Sequence, residues 1–151
     1  MLDNGLVEQQ NAQDAVGRAL LQMLPDGAER AVLNMTVLTV TSMGYIDAFY
    51  PDKTIKHVKF GGRFNTDLVR SLREVMYRPD SGTWFSMEMT VTSTGAMTAR
   101  FNYDNEPEWD VPVDPVSYVN DAKKFPRDEA HQPVWLQQRL AEGQARIDGQ
   151  R

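Results

Sequence analysis

The sequence predicts an α+β domain, a mostly antiparallel sheet with an N-terminal helix, a central helix and C-terminal helices packed on it. Three observations point there. Apolar residues alternate with polar ones in several short segments, they recur at three- and four-residue steps in others, and no strand-helix-strand unit repeats that would require parallel pairing. The chain of 151 residues fits one domain over 1–151. A domain of that size buries roughly 70% of the surface its unfolded chain exposes, which is enough for one core without covalent staples.

Residues 6–24 form the first helix, because Ala12, Val16, Ala19, Leu20 and Met23 share a face with Gln and Asp between them. Pro25, Asp26 and Gly27 stop it. Residues 31–41 are rich in β-branched and apolar residues on both alternation sets, which suits a strand with both faces at least partly covered. Ser42, Met43 and Gly44 suggest a turn into a second strand at 45–50, and Pro51, Asp52 and Lys53 another before a third at 54–60. Gly61 and Gly62 break the chain ahead of a helix at 65–77, where Phe64, Leu68, Leu72, Val75 and Met76 form a stripe and Asn65 or Thr66 can cap the start.

The sharpest local signal is at 84–92, where Phe85, Met87, Met89 and Val91 alternate with Trp84, Ser86, Glu88, Thr90 and Thr92. Ser93, Thr94 and Gly95 turn the chain, and Met97, Ala99, Phe101 and Tyr103 resume the alternation, which predicts a hairpin with Glu88 and Arg100 on its outer faces. Three prolines within 104–115 exclude a regular helix or central strand there, so this stretch is expected as an exposed loop. A helix at 115–124 with Asp114 as its cap, and a last helix at 133–147 with Leu136, Leu140 and Ile147 on one face, complete the order.

Composition narrows the chemistry. Cysteine is absent, which removes disulfides, thiol catalysis and thiolate metal sites, and residues 1–13 show neither a basic region nor a continuous apolar run. A cytoplasmic location is the resulting expectation. No stretch approaches the roughly 18 to 20 uninterrupted apolar residues of a spanning helix. The two histidines, His57 and His131, lack a second histidine at ligand spacing, and Asp128, Glu129 and His131 read as residues of a helix start. No nucleophile elbow, phosphate loop or dinucleotide fingerprint is present. The expectation is a protein without catalytic residues, cofactor or metal.

A net charge of −5 hides a strong segregation. Between 53 and 78 stand seven bases, Lys53, Lys56, Lys59, Arg63, Arg70, Arg73 and Arg78, against Asp67 and Glu74. Four of those bases lie in or beside an amphipathic helix, where a solvated polar face accounts for them. The acidic stretch is different. Asp104, Glu106, Glu108, Asp110 and Asp114 repel one another within eleven residues, which favours a use for negative charge. A nuclease cleft is basic so as to receive phosphates. Asp104, Glu106, Glu108 and Asp110 could meet its Lys and Arg side chains while Trp109 supplies a buried anchor. In the alternative the loop is merely solvated and Trp109 folds back on the hairpin.

Gly82-Thr83-Trp84-Phe85, then Phe101-Asn102-Tyr103-Asp104-Asn105-Glu106-Pro107-Glu108-Trp109 beyond the hairpin, and Phe125-Pro126-Arg127-Asp128 with Pro133-Val134-Trp135-Leu136 resemble the YezG-like immunity proteins. The element order is similar over most of the chain. That resemblance implies a small cytoplasmic antitoxin that binds the nuclease domain of a secreted polymorphic toxin, with no direct contact to nucleic acid or membrane. The assignment of Asp104, Glu106, Glu108, Trp109 and Asp110 to the partner surface comes from charge, not from the resemblance. Two other readings stay open: a small-molecule-binding or enzymatic α+β domain with its pocket between sheet and helices, and an adaptor whose basic face meets an acidic partner or nucleic acid. The oligomeric state is open as well.

Overall fold

The computed structural model describes residues 4–150, so residues 1–3 and 151 of the expected domain lie outside the described residues. Among those described, the elements are α1 (Asn4–Leu21), β1 (Arg30–Val37), β2 (Ser42–Phe49), β3 (Ile55–Val58), α2 (Asp67–Val75), β4 (Ser86–Thr92), β5 (Met97–Asn102), α3 (Val116–Lys124), a 3-10 turn (Glu129–His131) and α4 (Val134–Gly149). The strands form one sheet in the order β3-β2-β1-β4-β5, with every neighbouring pair antiparallel. This is the expected α+β class. No helix among the described residues is long and apolar enough to cross a membrane.

Register converts the alternation into a one-sided core. Val58, Ile46, Leu33, Met89 and Ala99 lie side by side across all five strands, and Met35, Met87 and Phe101 form the next row. Val16 and Leu20 of α1 and Val69 and Leu72 of α2 close over this face. Each fully buried Val or Leu side chain contributes roughly 1.5–3 kcal/mol. The opposite face carries Asn34, Thr36, Tyr45, Glu88, Arg100 and Asn102. So β1 has one face under α1 and α2, while on the other Val32 and Asn34 are half-buried and Thr36 is buried, which leaves both faces at least partly covered as expected.

Two boundaries differ from the sequence reading for a packing reason. The turn before β2 falls at residues 38–41, closed by the Leu38 N–H donating to the Thr41 carbonyl at 2.7 Å, and β2 already begins at Ser42. Gly44 is therefore a strand residue. It lies opposite Met35, and a Cβ there would collide with the Met35 sulfur and come within 2.8 Å of the Asn34 carbonyl oxygen. Its role is close approach and not turning.

The C-terminal helices do not lie over a sheet face. Tyr118 of α3 and Leu136 of α4 pack with Leu38 and Phe85, and Trp109, Val113, Trp135 and Leu140 surround them in a second small core. Leu38 follows β1 and Phe85 precedes β4, so α3 and α4 meet the sheet at its end. Phe85 and Tyr118 each set an edge against Trp135, with centroids 5.2 and 5.8 Å away.

Candidate functional site

The acidic loop leaves β5 at residue 103 and reaches α3 near residue 115 without regular structure, as its prolines require. Its root is fixed by Arg127, whose side chain is only 4% exposed. One terminal nitrogen donates to the carbonyls of Tyr103 (2.5 Å) and Thr83 (3.0 Å), and the other to the His131 carbonyl (3.0 Å) and the Asp104 carboxylate (3.3 Å). Burial lowers the affinity of that guanidinium for its proton, and the Asp104 charge opposes the effect. Gly82, with φ +93, leaves the room, since a Cβ would run into the Arg127 side chain. The Trp135 indole N–H donates to the Asp104 carbonyl at 2.8 Å.

Further along, Asn102 and Asn105 exchange two hydrogen bonds of 2.9 Å, and Pro107 is buried. The Asp110 N–H meets the Met43 sulfur at 3.3 Å. The loop is thus pinned to β5 at one side of the sheet end and to β2 at the other. Beyond it, Asp114 accepts from the Val116 N–H at 3.0 Å and pairs with Arg146 at 3.0 Å. The Val116 contact, then Arg146, holds the Asp114 carboxyl below the usual carboxylate range.

The five residues expected to meet a partner fall into two groups. Asp104 is paired with Arg127, and Glu106 with Arg139 at 2.7 Å, although Arg139 also serves Glu142 at 3.1 Å. Trp109 is half-buried and its indole N–H donates to the Tyr118 hydroxyl at 3.0 Å. It folds onto the C-terminal helices, neither standing free nor lying on the hairpin. Burial pushes the Tyr118 phenol up. The carboxylates of Glu108 and Asp110 are exposed, and among the described residues neither has a hydrogen-bond or ion-pair partner.

Together the loop and the uncovered sheet face enclose a concavity of about 510 Å³. Its lining includes Glu88, Glu106, Glu108 and Asp110, while Arg100 is its one base. Glu88 and Arg100, expected on outer faces, pair across β4 and β5 at 2.6 Å.

Sequence reasoning missed a buried ion pair. Arg73, expected on a solvated helix face, is 2% exposed and holds Asp121 in a bidentate pair at 2.6 and 2.8 Å while its Nε donates to the Trp84 carbonyl at 2.7 Å. Asp121 also accepts from the Thr39 N–H and hydroxyl at 2.8 and 2.7 Å. Arg70 is likewise occupied, donating to the carbonyls of Leu38 and Thr39 and to the Ser42 hydroxyl. The signal was present: Val69, Leu72, Arg73 and Met76 follow helical spacing, which places Arg73 within the apolar stripe. Elsewhere, His57 contacts Asp47 at 2.5 Å on an exposed part of the sheet, and Asp128 caps the 3-10 turn and touches His131. Among the described residues no group of three or more His, Asp or Glu side chains could hold a metal ion.

No family model matches the chain, and no curated protein matches it. Several residues singled out in the sequence have a physical role in common. Gly82, Thr83, Asp104, Arg127 and Trp135 converge at the root of the acidic loop.

Proposed function

We infer that the protein is an immunity protein that binds the nuclease domain of a secreted toxin and inhibits it stoichiometrically, without catalysis and without a cofactor, in the cytoplasm of the producing cell. The observation that carries this reading is the pair Glu108 and Asp110, two exposed carboxylates without partners on a loop whose neighbouring residues are anchored at both sides of the sheet end. Like charges held on a pre-ordered segment attract a basic cleft and lose little entropy on docking. On this reading the contact rests first on Glu108 and Asp110, whose carboxylates are unpaired among the described residues, while Glu106 shares its arginine and Asp104 and Trp109 support the loop.

A small-molecule pocket between the sheet and the C-terminal helices has less support. The enclosed space left between Phe85, Tyr118, Leu136 and Arg73, where the sheet end meets α3 and α4, is about 20 Å³, far below the 300–1,000 Å³ common for ligand pockets. The basic-face adaptor is weakened too, since Arg70 and Arg73 are taken up internally.

Nuclease activity of the cognate toxin domain, measured with increasing amounts of this protein, tests the reading. Activity should vanish near equimolar protein, and full activity at excess would reject it.

A further inference from the structure

The concavity under the acidic loop differs from an ordinary solvated patch in three respects. Its floor is an uncovered sheet face on which Tyr45, Asn34, Glu88 and Arg100 form one cross-strand row and Met43, Thr36, Ser86 and Asn102 the next. The loop stands at the edge of that second row, held at Asn102 by Asn105 and at Met43 by Asp110. Thr36 lies on the floor, only 9% exposed, and its hydroxyl has no hydrogen-bond partner among the described residues. That hydroxyl is not shut off from solvent, so water or a ligand in the concavity can meet it.

Charge identifies the occupant. Four acidic residues and one arginine line this space; Arg100 is engaged with Glu88 and Glu106 with Arg139, which leaves Glu108 and Asp110 unpaired. Tyr45, 38% exposed, adds an aromatic face. A planar cation that can bond carboxylates in a fork, stack on a ring and donate a further N–H to a hydroxyl is a guanidinium, whereas an ammonium satisfies only the charge.

We propose that the concavity between the uncovered sheet face and the acidic loop seats an arginine side chain presented by a partner protein, with Glu108 and Asp110 as its carboxylates, Tyr45 as its stacking face and the Thr36 hydroxyl as a further acceptor. This rests on the partner-binding reading and names the chemistry that the partner brings.

The test uses the full chain, isotopically labelled, titrated with the acetylated and amidated pentapeptide Gly-Arg-Gly-Arg-Gly and followed by amide NMR shifts. The arginine peptide should move the amides around Thr36, Tyr45, Glu108 and Asp110. Replacing its arginines by citrulline, which removes the charge but keeps the shape, should weaken binding about tenfold or more, and lysine should bind less well than arginine. The paired substitution Glu108→Gln with Asp110→Asn should abolish the shifts while leaving the rest of the spectrum unchanged. Thr36→Val, which keeps the volume, should weaken binding about threefold to tenfold. Shifts confined to other surfaces, or equal binding of the arginine and citrulline peptides, would overturn the proposal. The two readings separate cleanly: a seated arginine peptide with no inhibition of the toxin nuclease rejects only the immunity function, and inhibition with no arginine seat rejects only this proposal.

Discussion

Carboxylates serve opposite ends in two regions of this molecule. Asp121 is buried with Arg73 where α2, α3 and the end of β1 meet, and its two oxygens accept from a guanidinium, a backbone N–H and a hydroxyl. Glu108 and Asp110 stand in water on the acidic loop with no partner among the described residues. Burial makes each member of the first set depend on the other, because either one left alone would be an uncompensated charge in the interior. Exposure makes the second set dispensable to folding, and therefore free for another molecule. The loop shows both patterns within a few residues: Asp104 and Trp109 hold it in place, while Glu108 and Asp110 face outward.

Substitutions that exchange the two roles should break this contrast. Asp121→Ala is expected to have the largest effect, a loss of about 3–5 kcal/mol in urea unfolding, because Arg73 stays buried without its partner. Replacing Arg73 and Asp121 together by Met and Leu should recover most of that loss, which would show that the penalty lies in the orphaned charge. Arg127→Ala comes next. It removes charge-assisted hydrogen bonds to three carbonyls and should lower stability by about 2–3 kcal/mol. It should also speed amide exchange at 104–110 more than in β1, since the loop root would open locally.

The smallest effect on stability is expected from Asp114. Its carboxyl lies below the ordinary value of roughly 3.9 in the folded protein, so its contribution is present above that pH and is lost as pH falls through the folded value. Asp114→Asn should lower stability slightly at neutral pH, flatten the acid limb of the unfolding curve below about pH 4, and leave variant and native alike once the carboxyl is protonated.

The same contrast explains which parts were legible from sequence. The hairpin of β4 and β5 could be read directly because one face is buried and the other polar, so every second residue reports its side. The loop was legible from its prolines. Its anchoring was not, because Arg127, Trp135 and Arg139 are distant in sequence and nothing local marks them as its partners. Gly44 looked like a turn residue because glycine commonly is one, and only the facing Met35 reveals that its missing side chain makes room. Arg73 was assigned to solvent by its charge although its spacing placed it on the buried stripe. Residue type outweighed position there, and position was the better guide.

The most direct measurement compares the native chain with the variant carrying Glu108→Gln and Asp110→Asn, both for urea unfolding and for inhibition of the cognate toxin's nuclease domain. The unfolding free energy is expected to change by less than about 0.5 kcal/mol, as for ordinary surface positions, while inhibition is lost or weakened at least about tenfold. Undiminished inhibition by the variant, with the same salt dependence, would contradict the assignment of these two carboxylates to the partner surface.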